Sequence, residues 1–116
     1  MESKEKLPTI IQGGMGVAVS NWRLARAVSL RGQLGVISGT ALDTVLVRRL
    51  QDGDPGGHMR RAISQFPVAE AAADIIARFY KPGGRAEGEA YTLLPMYRQK
   101  VTSRRHMLAV IANFVE

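Results

Sequence analysis

The spacing of apolar positions changes character once along this chain. Thr9, Ile10 and Ile11 form a short β-branched run that stops at Gln12, Gly13, Gly14, Met15 and Gly16, the pattern of a buried strand ending in a glycine-rich turn. Ser20 or Asn21 then stands where a helix N-cap belongs. Trp22, Leu24, Ala25, Ala27, Val28 and Leu30 supply the apolar positions of a helix over 22–31, Arg23 and Arg26 point outward, and Gly32 occupies the place of a left-handed C-terminal cap. Leu34, Gly35, Val36, Ile37 and Ser38 make a second short apolar strand that ends at Gly39. Strand, helix and strand over 9–38 predict one parallel βαβ unit with a right-handed crossover.

Beyond Gly39 the pattern is helical only. Thr40 or Asp43 is placed to cap a helix carrying Leu42, Val45, Leu46 and Leu50, which 52–57 interrupt with three glycines and Pro55. Asp54 followed by Pro55 predicts an N-cap and first helical position for a short helix through Met59, Ala62 and Ile63, stopped near Pro67. The clearest amphipathic stretch is 68–80, rich in Ala with Ile75, Ile76 and Phe79, and Lys81, Pro82, Gly83 and Gly84 end it. Residues 85–99 keep no period and predict a loop with a helical turn. Ser103 opens a last helix, with Met107, Val110, Ile111, Phe114 and Val115 on its apolar face.

Length allows one ordinary domain, since the chain has 116 residues, 46% of them hydrophobic and 22% charged. Two parallel strands with four or five helices nevertheless make an incomplete sheet, because parallel pairs are normally buried on both faces. The last helix meets no stop signal before Glu116. The expectation is therefore a single incomplete domain over 1–116, the beginning of a larger α/β fold, with 8–39 as the βαβ start and 40–116 as a helical elaboration. Its open strand edges invite self-association.

Sixteen Lys and Arg against ten Asp and Glu give a net charge of +6. That balance raises a basic, nucleic-acid-binding helical module as an alternative of another class. It is disfavoured, because three Phe, three Tyr and one Trp supply few stacking surfaces and no RNA- or DNA-binding motif is present. The absence of Cys removes disulfides, thiolate metal sites and Cys nucleophiles. The first apolar stretch, Leu7 to Ile11, is too short for a signal-peptide core and no segment approaches a membrane span, so a cytoplasmic protein without membrane partners is expected.

The densest chemical signal is 10–20. Glycines directly after a strand remove the Cβ that would hold a flat ligand off the backbone, although a plain tight turn asks for the same residues. A dinucleotide fingerprint does not fit, since Val19 stands where its third glycine belongs, and the Gly-Lys-Ser/Thr ending of a P-loop is missing. His58 and His106 read as exposed or capping residues. Asp43, Asp52 and Asp54, near helix ends, read as caps. The pairs Arg48/Arg49, Arg60/Arg61 and Arg104/Arg105 diverge around a helix and read as solvated surface.

Pro8 to Gly16 with Ser20, the helix of Asn21, Trp22, Leu24 and Ala25, and then Leu34 to Gly39 together resemble the start of the nitronate monooxygenase family, formerly called 2-nitropropane dioxygenases. The resemblance implies the N-terminal part of an FMN-dependent (β/α)8, or TIM, barrel. It implies cofactor contacts from Gln12, Gly13, Gly14, Met15 and Gly16, with Ser38 and Gly39 ending the second strand on the same face. The family's catalytic base is a histidine from a later part of the barrel, so no catalytic residue is assigned in this chain, and no metal ligand either.

The activity so implied is oxidative denitrification of alkyl nitronates, with dioxygen as co-substrate and FMN as electron carrier. An alternative within the same flavin fold is an enoyl-thioester reductase of fatty-acid or polyketide synthesis. The 116-residue chain alone is expected to be an inactive fragment, because the phosphate-holding loops of such barrels come after the later strands.

Overall fold

The computed structural model describes residues 6–94 and 102–116. Among these the regular structure is helical: α1 (Trp22–Ser29), α2 (Leu42–Gln51), α3 (His58–Ile63), α4 (Ala69–Phe79) and α5 (Ser103–Val115). The chain divides into two compact units, one of residues up to Thr40 together with Glu116, the other from Ala41 to Val115.

The expected α/β fold, with its βαβ unit and barrel start, does not form. No strand or sheet exists among the described residues, and 9–12 and 34–38 meet at one isolated parallel bridge between Ile11 and Leu34. Two bonds make that bridge, Gln12 N–H to the Leu34 carbonyl at 3.0 Å and Leu34 N–H to the Ile10 carbonyl at 3.1 Å. On either side of it, glutamine side chains take over the backbone groups a ladder would use. The Gln33 Oε1 accepts from the amides of Thr9 (3.1 Å) and Ile10 (2.9 Å). The Gln12 amide group accepts from Val36 N–H (3.3 Å) and donates to the Val36 carbonyl (2.9 Å). The segments are adjacent and parallel, yet the ladder stops after one residue pair. A β-branched run shows strand propensity, and nothing in it shows where a neighbouring side-chain amide will intercept the backbone.

α1 forms as its signals require. The Asn21 side chain accepts from Leu24 N–H at 3.1 Å, and Gly32 takes a left-handed φ of 73° beyond the C-terminus. The helix lies so close to 34–38 that a Cβ on Gly35 would stand 2.1 Å from the Ala25 carbonyl oxygen. Only glycine is tolerated there.

The unit from Ala41 onward has an apolar core. Leu42, Leu46, Val47 and Leu50 of α2, Met59 and Ile63 of α3, Ala72, Ile75 and Phe79 of α4, and Leu108, Ile111 and Ala112 of α5 are buried. α2 lies at its centre, packed on α3, α4 and α5. In α5 the buried residues are 108, 111 and 112, so Ile111 of the expected face is buried while Leu108 and Ala112 lie outside it. Val110 and Phe114 stay nearly half exposed, with the Phe114 ring edge-on to Phe66 at 5.2 Å between centroids.

Helix starts also differ from expectation. α2 begins after Ala41 at φ 56° with no side-chain cap, and Asp43 turns instead to Arg105. α3 begins at His58 rather than at Pro55, yet Asp54 still caps it, its carboxylate accepting from the amides of Met59 and Arg60, both at 3.0 Å. Of the expected loop over 85–99, positions 85–94 are non-helical and 95–99 lie outside the described residues. No described helix is long and apolar enough to cross a membrane.

Candidate functional site

The glycine segment singled out by sequence, Gln12 to Gly16, lies against Ser20 and 36–38 within the first unit. Ser20, buried, sends its hydroxyl oxygen to accept Met15 N–H at 3.2 Å, and its carbonyl accepts Ser38 N–H at 2.9 Å. The Ser38 hydroxyl donates to the Met15 carbonyl at 3.3 Å. The Gly16 carbonyl accepts from both Val19 and Ser20 amides, at 3.2 and 2.7 Å. With Gln12 on Val36, these bonds hold the loop from three sides.

The site residues expected from sequence divide into two roles. Gln12 and Ser38 spend their polar atoms on neighbouring backbone, which makes them positioning residues for the loop. Gly14 is likewise structural: a Cβ there would stand 2.8 Å from the Ile37 carbonyl oxygen and 2.9 Å from Val36 Cγ1, so its missing side chain makes room for 36–37. Gly13 is different. A Cβ on Gly13 would meet nothing within 4 Å, and its backbone needs no left-handed φ. Met15 is 88% exposed, its thioether projecting from the loop. Gly39 follows buried Ser38 and is exposed, without a hydrogen bond of its own among the described residues.

The amides of Gly13, Gly14 and Gly16 donate to no protein acceptor among the described residues, and all three glycines are exposed. A fixed loop with three such N–H groups, bare backbone at Gly13 and a polarizable sulfur alongside can hydrogen-bond the heteroatom edge of a flat aromatic ring while the ring packs on the glycine. Flavin fits that donor set, with its carbonyl and ring-nitrogen acceptors. Around it, Ile10 and Ile11 are 62% and 65% exposed, leaving an apolar margin beside the loop.

Three polar arrangements in the second unit escaped the sequence reading, and each joins residues far apart in the chain. Asp43, 3% exposed, pairs with Arg105 at 3.0 Å across α2 and α5, so one member of an arginine pair read as surface is drawn inward. Asp52 accepts the Tyr91 hydroxyl at 2.7 and 2.9 Å and pairs with Arg85 at 3.1 Å, while the Arg85 guanidinium stacks 3.6 Å from the Tyr91 ring centroid. Asp74 binds Arg104 of α5 and Arg78 one turn along α4, and the Arg104 hydrogen bonds hold its carboxyl below the usual carboxylate range. Of the two histidines, His58 Nδ1 lies 2.7 Å from Arg61 Nη2, and His106 is exposed on α5. Neither lies in the unit that holds the glycine loop. No group of three His, Asp or Glu able to hold a metal ion occurs among the described residues. Comparison with known proteins finds no family model, curated protein or solved structure that matches this chain.

Proposed function

We propose that 12–16 form the flavin-facing loop of an FMN-dependent oxidoreductase acting on alkyl nitronates, with dioxygen as the oxidant. The observation that carries this reading is a loop pinned by Gln12, Ser20 and Ser38 whose three exposed glycines have amides with no protein acceptor among the described residues. FMN, when bound, supplies the electron chemistry. The chain's own residues orient it. Gly13, Gly14 and Gly16 present N–H donors to ring acceptors, Gly13 leaves the space for close approach, and the Met15 side chain shields one edge. Gln12 and Ser38 act through the loop by fixing its backbone, and Gly39 extends the same face. No residue of this chain is assigned to proton transfer.

The test is a fluorescence titration of FMN with the full chain and its Gly13→Val variant. A Cβ at 13 meets no protein atom within 4 Å, so Gly13→Val is expected to keep the fold, while its branched side chain fills the approach to the backbone. The expected result is saturable quenching by the parent chain and its loss in the variant. Equal quenching by both would remove the loop from the flavin site, and no quenching by either would remove flavin from the reading.

A further inference from the structure

From Lys6 to Leu42 the sequence holds no Asp or Glu. The cations of that stretch, Lys6, Arg23, Arg26 and Arg31, pair with no carboxylate among the described residues. In the second unit, by contrast, Arg60, Arg78, Lys81, Arg85, Arg104 and Arg105 each have a carboxylate partner.

The three unpaired arginines lie on or just beyond α1, a helix that buries none of its residues. α1 meets 34–38 at Ala25, whose Cα would stand 2.7 Å from a Cβ on Gly35. At about 100° per residue, Arg26, Leu30 and Arg23 fall within about 60° of arc, on the side turned away from Ala25. All three are exposed, Leu30 by 68%. Trp22 edges this band, with the Arg23 guanidinium 4.9 Å from its ring centroid. Arg31 closes the band at its C-terminal end, donating to the Ala27 carbonyl at 3.0 Å. Glu116, the acid grouped with this unit, accepts Trp22 N–H at 3.3 Å.

Unpaired guanidiniums interleaved with leucine and tryptophan are complementary to a surface that is anionic and apolar together. A bilayer of acidic phospholipids offers both. Its headgroup phosphates take the guanidiniums, while Leu30 and the Trp22 ring enter the boundary beneath them. A nucleic-acid backbone would engage the arginines and leave Leu30 in water.

We propose that α1 docks this unit on an anionic lipid surface, the helix lying in the plane of the headgroups. An interfacial helix needs no apolar span, so the expectation of no membrane partner, which followed from the lack of one, does not extend to this contact. The surface uses no residue of the glycine loop and is independent of the flavin reading.

The experiment sediments the full chain with vesicles of phosphatidylcholine alone and of an equimolar phosphatidylcholine–phosphatidylglycerol mixture, following Trp22 emission. Retention on the mixed vesicles with a blue shift, and none on the neutral ones, is expected. Arg23→Gln combined with Arg26→Gln removes two exposed charges, keeps the parent's circular dichroism and weakens partition about thirtyfold at low salt. Leu30→Ser weakens it about tenfold through lost apolar contact. Equal retention on both vesicles, retention on neither, or unchanged partition of the double variant would each overturn the proposal. Leu30→Ser without effect on the mixed vesicles, while poly(U) RNA is retained by the parent, would overturn it in favour of nucleic acid.

Discussion

The two units of this chain are held together by different forces. The unit from Ala41 onward is an apolar core of buried Leu, Ile, Met, Ala and Phe side chains contributed by all four of its helices, with the Asp43–Arg105 pair set into it. The unit of 6–40 contributes no residue to the buried apolar set, and its buried side chains are Ser20 and Ser38. There the segments are fixed by side-chain-to-backbone hydrogen bonds from Gln12, Ser20, Gln33 and Ser38, and by the close fit of Gly14 and Gly35. Apolar burial is worth far more per residue than a typical net hydrogen bond, about 1.5–3 kcal/mol for a large side chain against about 1 kcal/mol. The second unit is therefore expected to be the more stable, and the first to be more easily opened and more exposed to ligands.

The largest effect is expected at the core. Leu50→Ala, at a fully buried position on α2, should cost about 3–5 kcal/mol in urea unfolding followed by far-UV circular dichroism. Trp22 is the one tryptophan and lies in the first unit, so its fluorescence is a probe placed in that unit. If the contrast is right, the two signals do not coincide in the parent chain, and Leu50→Ala moves the dichroism midpoint further than the tryptophan midpoint. A single shared transition would break the comparison.

Asp43→Ala comes next. It strands the Arg105 cation in a mostly buried place, at about 3 kcal/mol or more, and Asp43→Leu combined with Arg105→Met should recover most of that loss. A double variant as unstable as the single one would show that the pair contributes more than mutual neutralisation.

Gly35→Ala tests the first unit in the same terms. Its Cβ would overlap the Ala25 carbonyl oxygen, so amide-exchange protection of α1 should disappear, at a cost of about 1–3 kcal/mol, while α2 to α5 keep theirs. Retained protection in α1 would contradict the close approach.

The smallest effect concerns Asp74. Its carboxyl is held below the usual range by Arg104 and Arg78, so its contribution is present above the unfolded value and is lost as pH falls through the lowered folded one. Comparing parent and Asp74→Asn from pH 7 to pH 2, the difference in unfolding midpoint should be small at neutral pH and vanish at the acid end. A difference that grows on acidification would reverse the sign.

How much of this was legible in the sequence depends on the range over which each feature is decided. Caps and breakers act within a turn or two, which is why Asn21, Gly32 and Gly83–Gly84 mark helix ends correctly. Of the expected apolar face of α5, Ile111 is buried, whereas Val110 and Phe114 are exposed and Leu108 and Ala112 take the buried places, because both sets match a helical period. The segments 9–12 and 34–38 do lie side by side, but Gln12 and Gln33 compete for the backbone and no strand results. In the loop, glycine clustering was visible, whereas the separate duties of Gly13 and Gly14 depend on Ile37, over twenty residues away. Asp43 with Arg105 and Asp52 with Tyr91 depend on chain distances longer still.

A ligand-facing loop at 12–16 and a plain turn respond differently to FMN. Amide chemical-shift mapping of the full chain titrated with FMN separates the two. The largest shifts are expected on Gly13, Gly14 and Gly16, followed by Ser38 and Gly39, with α2 to α5 unmoved. Shifts concentrated in α2 to α5, or glycine amides that stay in place at saturating FMN, would contradict a ligand-facing loop.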